Sequence, residues 1–352
     1  MAKKSVPLLV LLLFLMISCK QRQETVEGYR PPEFKGIAFV TARDANHVGV
    51  LNLADASIGR IVLDRRPSAI SLASNRLYIF SRDGMYKSID LSTSKSSNWK
   101  RIAPSICDAE TTEGKTIYLT TRREPALIAY SIEKGQTMNS LKLSPGDCNI
   151  SVSDPAGLII ITNNRNPAIT IIDKKTWTIK ERIPNAGNSI HHARLLAARN
   201  EIWVAEGNEF KDGKPYGVGF AKAEAVPGGL NLIDLKTGQL KDFIMVGGNV
   251  EDLGFSSDGR YIYTISSQMP EYDDAALNAV DFQKTRSVKQ YSLCKVCHYR
   301  NGIQIKKIFV TSLVVDEKAT AASVKGLLES GFQSTEPGGE SVIIKQIYEK
   351  AE

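Results

Sequence analysis

Hydrophobic positions along this chain fall in short runs separated by polar turns, and the runs come in fours. From Asp147 to Pro184 the sequence reads DCNISVSDPAGLIIITNNRNPAITIIDKKTWTIKERIP. Four runs stand out: CNISVS, LIIITN, AITIID and TIKERI. Each is a few residues long and rich in β-branched side chains, which predicts strands. The breakers are Asp154-Pro155-Ala156-Gly157, Asn163-Asn164-Arg165-Asn166-Pro167 and Lys174-Lys175-Thr176, residue types that favour turns. One four-stranded antiparallel sheet has nothing of its own to pack against. The unit therefore predicts copies of itself as neighbours.

Copies are present. An aliphatic residue followed by an acid closes the third run at Ile89-Asp90, Ile132-Glu133, Ile172-Asp173, Ile233-Asp234 and Val280-Asp281, with Leu51-Asn52 as a weaker first copy. The second run recurs as GIAFVTA, RLYIFSR, KTIYLTT, LIIITNN, EIWVAEG, YIYTISS and KKIFVTS, beginning at Gly36, Arg76, Lys115, Leu158, Glu201, Tyr261 and Lys306. Four strands in about 40 residues is the signature of a β-propeller. Seven second runs give the expected fold: all-β, a seven-bladed β-propeller of four-stranded antiparallel blades over residues 34–350. SVIIKQIYE, Ser341 to Glu349, is the expected late strand of ring closure, and Lys318 to Ser330 is the one helix candidate.

The segments LIIITNN…ITIIDKKTWTIKERI and GFSSDGRYIYTISS…NLIDLKTG resemble YVTN-type propeller repeats, bacterial relatives of WD-type blades. Asp154-Pro155 and Asp258-Gly259 sit where that family turns between its first and second strands. The resemblance covers roughly residues 36 to 314. It implies architecture more than activity. Relatives of the fold include haem-d nitrite reductases, methylamine dehydrogenase heavy chains, lactonase-like enzymes, copper enzymes and plain binding scaffolds.

Residues that begin the innermost strands converge on a propeller's axis, and here they are chemically unusual. Cys107 opens blade three, Cys148 blade four, His191-His192 blade five and Val250-Glu251-Asp252 blade six. Ser292-Leu293-Cys294, running on to Lys295-Val296-Cys297-His298, is expected to open blade seven. Thiolate and imidazole ligands converging from several blades suit copper, zinc or haem iron. Cys107 and Cys148 also read as buried small side chains or as a disulfide, although adjacent inner strands tend to lie apart. Expanded connections at Asn208 to Gly228, Gln268 to Ala275 and Leu313 to Gly339 are expected to gather over one mouth of the channel. Tyr216, Phe220, Tyr272 and Arg194 are candidates to line a pocket there.

Cys294-Lys295-Val296-Cys297-His298 matches C-x-x-C-H, the attachment signature of c-type haem. Both thiols add to the haem vinyl groups and His298 is placed to ligate iron. No Met follows His298, so a sixth ligand must come from elsewhere, with Met269, His191 or His192 as candidates. A non-haem metal, a redox dithiol and a structural disulfide are the alternatives. Asp252 is a further candidate ligand.

The N-terminus sets the compartment. Lys3 and Lys4 precede an apolar run from Val6 to Ile17, about a dozen residues, too short to span a bilayer and right for a signal peptide. Leu15-Met16-Ile17-Ser18-Cys19 resembles a bacterial lipoprotein signal, with Met16 where Leu is usual. That resemblance implies a signal over residues 1–19, a lipidated Cys19 and a polar tether over 20–33. Lys20 stands where an inner-membrane retention signal has Asp. The expectation is an envelope protein held at the membrane by its lipid, periplasmic or surface-facing, with the outer membrane favoured.

Composition narrows the field. The chain has 352 residues, 42% hydrophobic and 24% charged, an ordinary globular balance. Its +7 charge, 45 basic against 38 acidic residues, is spread without a dense Lys/Arg run, so no nucleic-acid partner is expected. There is no G-x-S-x-G, no H-E-x-x-H and no phosphate-binding Gly loop. The sequence thus points to a metal- or haem-binding propeller for electron transfer, an oxidoreductase if it is an enzyme. The alternative is a non-catalytic module that binds a protein or ligand.

Overall fold

The computed structural model describes residues 33–324 except 44, 188, 208–209, 212–213, 216–227, 247–248, 268–275, 282–285, 294–298, 301–302, 305–309 and 321. The described strands form six four-stranded antiparallel sheets and two small hairpins. The six sheets are the blades of a β-propeller. Blade four is the Asp147–Pro184 unit, with strands Asp147–Ser153, Leu158–Asn163, Ala168–Asp173 and Thr178–Pro184 running from axis to rim. Blades two, three, five and six begin at Pro67, Asp108, Ile190 and Asn249.

The described residues form six blades, not the expected seven. The seventh second run, KKIFVTS, runs into the strand Val310–Asp316, which is the innermost strand of blade one. It pairs antiparallel with Ile37–Ala42, bringing Phe39 opposite Val314 and Ile37 opposite Asp316. A hydrogen bond of 2.8 Å between the Thr41 and Thr311 hydroxyls joins the two ends of the ring. The N-terminal strands are therefore the second, third and fourth of a blade that the C-terminal strand completes. Leu313 lies within that strand, so the third expanded connection expected from Leu313 onward is also corrected. Residues 322–324 are helical, and SVIIKQIYE lies outside the described residues.

Packing confirms the count. Buried apolar side chains fall into six clusters, one between each neighbouring pair of blades. Tyr118, Ile150 and Ile161 pack blade three on four, and Trp203, Leu253 and Ile262 pack five on six. Ile37, Phe39, Ile70 and Ile79 pack one on two, and Tyr261, Tyr263, Leu51 and Leu53 close six on one. Each sheet buries both faces, which is why the runs are almost continuously hydrophobic.

The recurrent acid after the third run is a turn device. Asp173 Oδ1 accepts from the backbone N–H of Lys175 at 2.9 Å and of Thr176 at 2.8 Å. Asp90 and Asp234 hold the same turn through Thr93 and Thr237. Hydrogen bonds to the ionised carboxylate, led by the backbone N–H of the Thr, hold all three below the usual Asp range.

Candidate functional site in the channel

An innermost strand has a free edge, and its N–H and C=O groups need partners. Around this ring side chains supply them. Ser312 accepts from Ile70 N–H, Ser71 from Thr111 N–H, and Asp108 from Ile150 N–H. Asn149 donates to His191 C=O, Arg194 donates to Leu253 C=O, and Asp252 accepts from Leu313 N–H at 2.8 Å. Every neighbouring pair of blades is thus tied at the axis by a side chain on one strand and the backbone of the next.

Bulges aim the candidate residues. In blade four Asp147 pairs with Asn163 and Asn149 with Thr162, so Cys148 is the extra residue. In blade five Ile190 pairs with Glu206 and Ala193 with Val204, which leaves His191 and His192 outside the ladder. Glu251 is the extra residue of blade six. A bulge re-aims side chains without ending the strand. Here the bulges sit at the mouth end of the channel.

Cys107 and Cys148 form a disulfide, with Cα atoms 5.5 Å apart. The concern that inner strands stand too far apart does not apply, because the bond joins a residue just before one inner strand to a bulge in the next. His191 Nδ1 lies 3.2 Å from Glu251 Oε2. Glu251 is itself held by Asn249 and by the Ser267 hydroxyl at 2.9 Å. The other side of the imidazole lies against Gly207, where a Cβ would stand 2.4 Å from Nε2. A side chain at residue 207 would push against the ring and against Asn249.

Just inside the mouth, two basic side chains reach across the channel. His192 Nε2 lies 3.2 Å from Asp108 Oδ2 of blade three, and its Nδ1 lies 3.4 Å from Asp252 Oδ1 of blade six. Two residues deeper, Arg194 Nη1 reaches Glu110 Oε1 of blade three at 3.3 Å, while Nη2 lies 3.9 Å from Asp252 Oδ1. Glu110 Oε2 also accepts from Val152 N–H at 2.9 Å. Burial pulls the His192 pKa down, but Asp252 and Asp108 outweigh it, so the imidazole holds its proton more tightly than usual. Burial raises Glu110, and Arg194 and the Val152 N–H only partly offset that.

Beneath and beside Arg194 is a cavity of about 310 Å³ lined by the two crossbars and by apolar side chains of blades one, two and six. Sequence reading named Arg194, His191, His192 and Asp252 but missed Asp108 and Glu110. Their signal was the alternation of acids, Asp-Ala-Glu, on a strand expected to be buried. Among the described residues no group of three or more His, Cys, Asp or Glu side chains is arranged to hold a metal ion. Cys19, Met269, Cys294, Cys297 and His298 lie outside the described residues, as do Tyr216, Phe220 and Tyr272.

No family model matches the chain, and no curated protein matches it. Solved structures do. It is similar to a chain of hydrazine synthase from Kuenenia stuttgartiensis, with TM-score 0.54, 14% identity, 74% of this chain and 80% of the other covered. A chain of a nidogen/laminin complex gives TM-score 0.58 at 8% identity, with 80% and 99% covered. A protein of unknown function from Bacteroides caccae gives 0.58 at 9% identity, with 81% and 100% covered. At these identities the likeness establishes the β-propeller fold alone.

Proposed function

We propose that this propeller is an extracytoplasmic, lipid-anchored protein that carries a redox group at the mouth of its channel, held by Cys294, Cys297 and His298, for electron transfer. The carrying observation is topological. The connection that bears C-x-x-C-H leaves blade six at Ser292 and joins blade one at Val310, and both ends lie on the mouth face. The Ser267 hydroxyl reaches Val310 C=O at 3.5 Å, beside the Glu251 that orients His191. The expanded connections of blades five and six, after Glu206 and Ser267, leave on that same face.

The donor set fits such a group. The Cys107–Cys148 disulfide removes two cysteines and leaves Cys294 and Cys297 as the pair after the signal region. A structural disulfide also suits an oxidising compartment, in keeping with the N-terminal signal and Cys19. His191 is an imidazole oriented by a carboxylate, the arrangement that prepares a histidine to ligate. His192 Nε2 bonds Asp108, and its Nδ1 lies 3.4 Å from Asp252. A c-type haem bound there would supply one-electron chemistry; copper or zinc are the other candidates for the same donors. The test is the visible spectrum and metal content of mature protein made in a host that matures c-type cytochromes. The competing class, a non-catalytic binding module, predicts a colourless, metal-free protein.

A further inference from the structure

We infer that the cavity beneath the His192 and Arg194 crossbars is a binding site for a small carboxylate with an apolar body, with Arg194 as the anchor of its head group. The inference is independent of the reading of the mouth.

Arg194 is the first reason. Its Nε donates to Leu253 C=O and its Nη1 to Glu110, but Nη2 has no acceptor among the described residues nearer than Asp252 at 3.9 Å, beyond hydrogen-bond reach. A guanidinium held by blade six on one side and blade three across the axis presents its remaining N–H groups in a fixed fork, the geometry that accepts a carboxylate. The Arg194 side chain is 21% exposed and lines the cavity, so a ligand oxygen can take the place of water on those N–H groups.

The walls are the second reason. Leu72, Phe255, Val314 and Val315 add half-buried apolar surface to a lining that also holds Ser71, Asp108, Glu110 and Ser312. Polar anchor and apolar wall meet in a volume of about 310 Å³, within the range of small-molecule sites.

Gly254 is the third. It lines the cavity from within the inner strand of blade six, and a Cβ built on it would meet nothing within 4 Å. A glycine inside a strand with ordinary backbone and open space before it weakens the strand and marks where another molecule comes close. Part of the space exists because residue 254 has no side chain.

Titration calorimetry of the purified full-length protein with hexanoate, hexylamine and hexanol tests the inference. Hexanoate is expected to bind, with hexylamine and hexanol at least about tenfold weaker. Arg194→Lys is expected to weaken hexanoate by about tenfold or more. Gly254→Leu is expected to abolish binding with an unchanged far-UV spectrum, which keeps the test valid should Arg194 variants fold poorly. Hexanol binding as well as hexanoate, hexylamine binding better, hexanoate binding unchanged in Gly254→Leu, or no binding of any probe would each overturn the inference.

Discussion

His192 Nε2 lies 3.2 Å from Asp108 Oδ2, and the two residues belong to blades three and five, which do not touch in the ring order. Asp108 in turn accepts from Ile150 N–H of blade four, and Asp252, on the other side of the imidazole, accepts from Leu313 N–H of blade one. One imidazole therefore organises carboxylates that tie the axis of most of the propeller.

This arrangement has a pH signature. His192 and Glu110 both have folded-state pKa values above their usual ones. Each binds its proton more tightly folded than unfolded, so unfolding releases protons and stability falls as pH rises. The loss from Glu110 starts above about pH 4.3 and that from His192 above about pH 6.5, each continuing through the folded pKa. Thermal melts from pH 6 to 9 are expected to show a falling midpoint. His192→Gln should flatten that slope and cost about 3 kcal/mol at the acid end. A midpoint that rises with pH, or a slope unchanged in the variant, contradicts the assignment.

The Cys107–Cys148 disulfide closes a loop between residues 41 apart in sequence. Loop-closure entropy gives it a contribution of about 4 kcal/mol as an upper figure. Cys107→Ser/Cys148→Ser is expected to lose about 2–4 kcal/mol in denaturant unfolding. Dithiothreitol should lower the midpoint of the wild type toward that of the variant. Equal stability of the two proteins would show that the bond does not hold blades three and four.

Ring closure rests on Val310–Asp316. A chain ending at residue 309 loses buried Val310 and Leu313 and leaves the inner edge of Ile37–Ala42 unpaired. Six interfaces packed in a circle should not survive opening one of them intact. The expected result is loss of the cooperative transition in calorimetry. A cooperative melt near the full-length midpoint would contradict the closure described here.

Much of this architecture is legible in the chain. The four runs of Asp147–Pro184, their turns and the acid at Asp173 all correspond to the strands and turns observed. The blade count was not legible, because in a blade split between the two termini the innermost strand, at KKIFVTS, resembles a second run and was counted beside GIAFVTA, the true second strand of the same sheet. Only the pairing of Ile37–Ala42 with Val310–Asp316 reveals that they share a sheet. At the site, His192 and Asp252 stood out by residue type and by position at a strand start. Asp108 and Glu110 did not, because their partners lie across the axis at a distance in sequence that no local pattern encodes. The bulges at Cys148, His191-His192 and Glu251 were equally hidden, since an extra residue is defined by the neighbouring strand.

The reduced-minus-oxidised visible spectrum of the mature protein, produced with a c-type cytochrome maturation system, bears most directly on the central claim. A redox group held at the mouth by Cys294, Cys297 and His298 predicts a Soret band and a sharp α-band that remain with the polypeptide after acid-acetone extraction. Both should disappear in Cys294→Ser/Cys297→Ser while the far-UV spectrum is unchanged. A folded wild-type protein with no visible absorbance and no bound copper, with or without zinc, would contradict the claim.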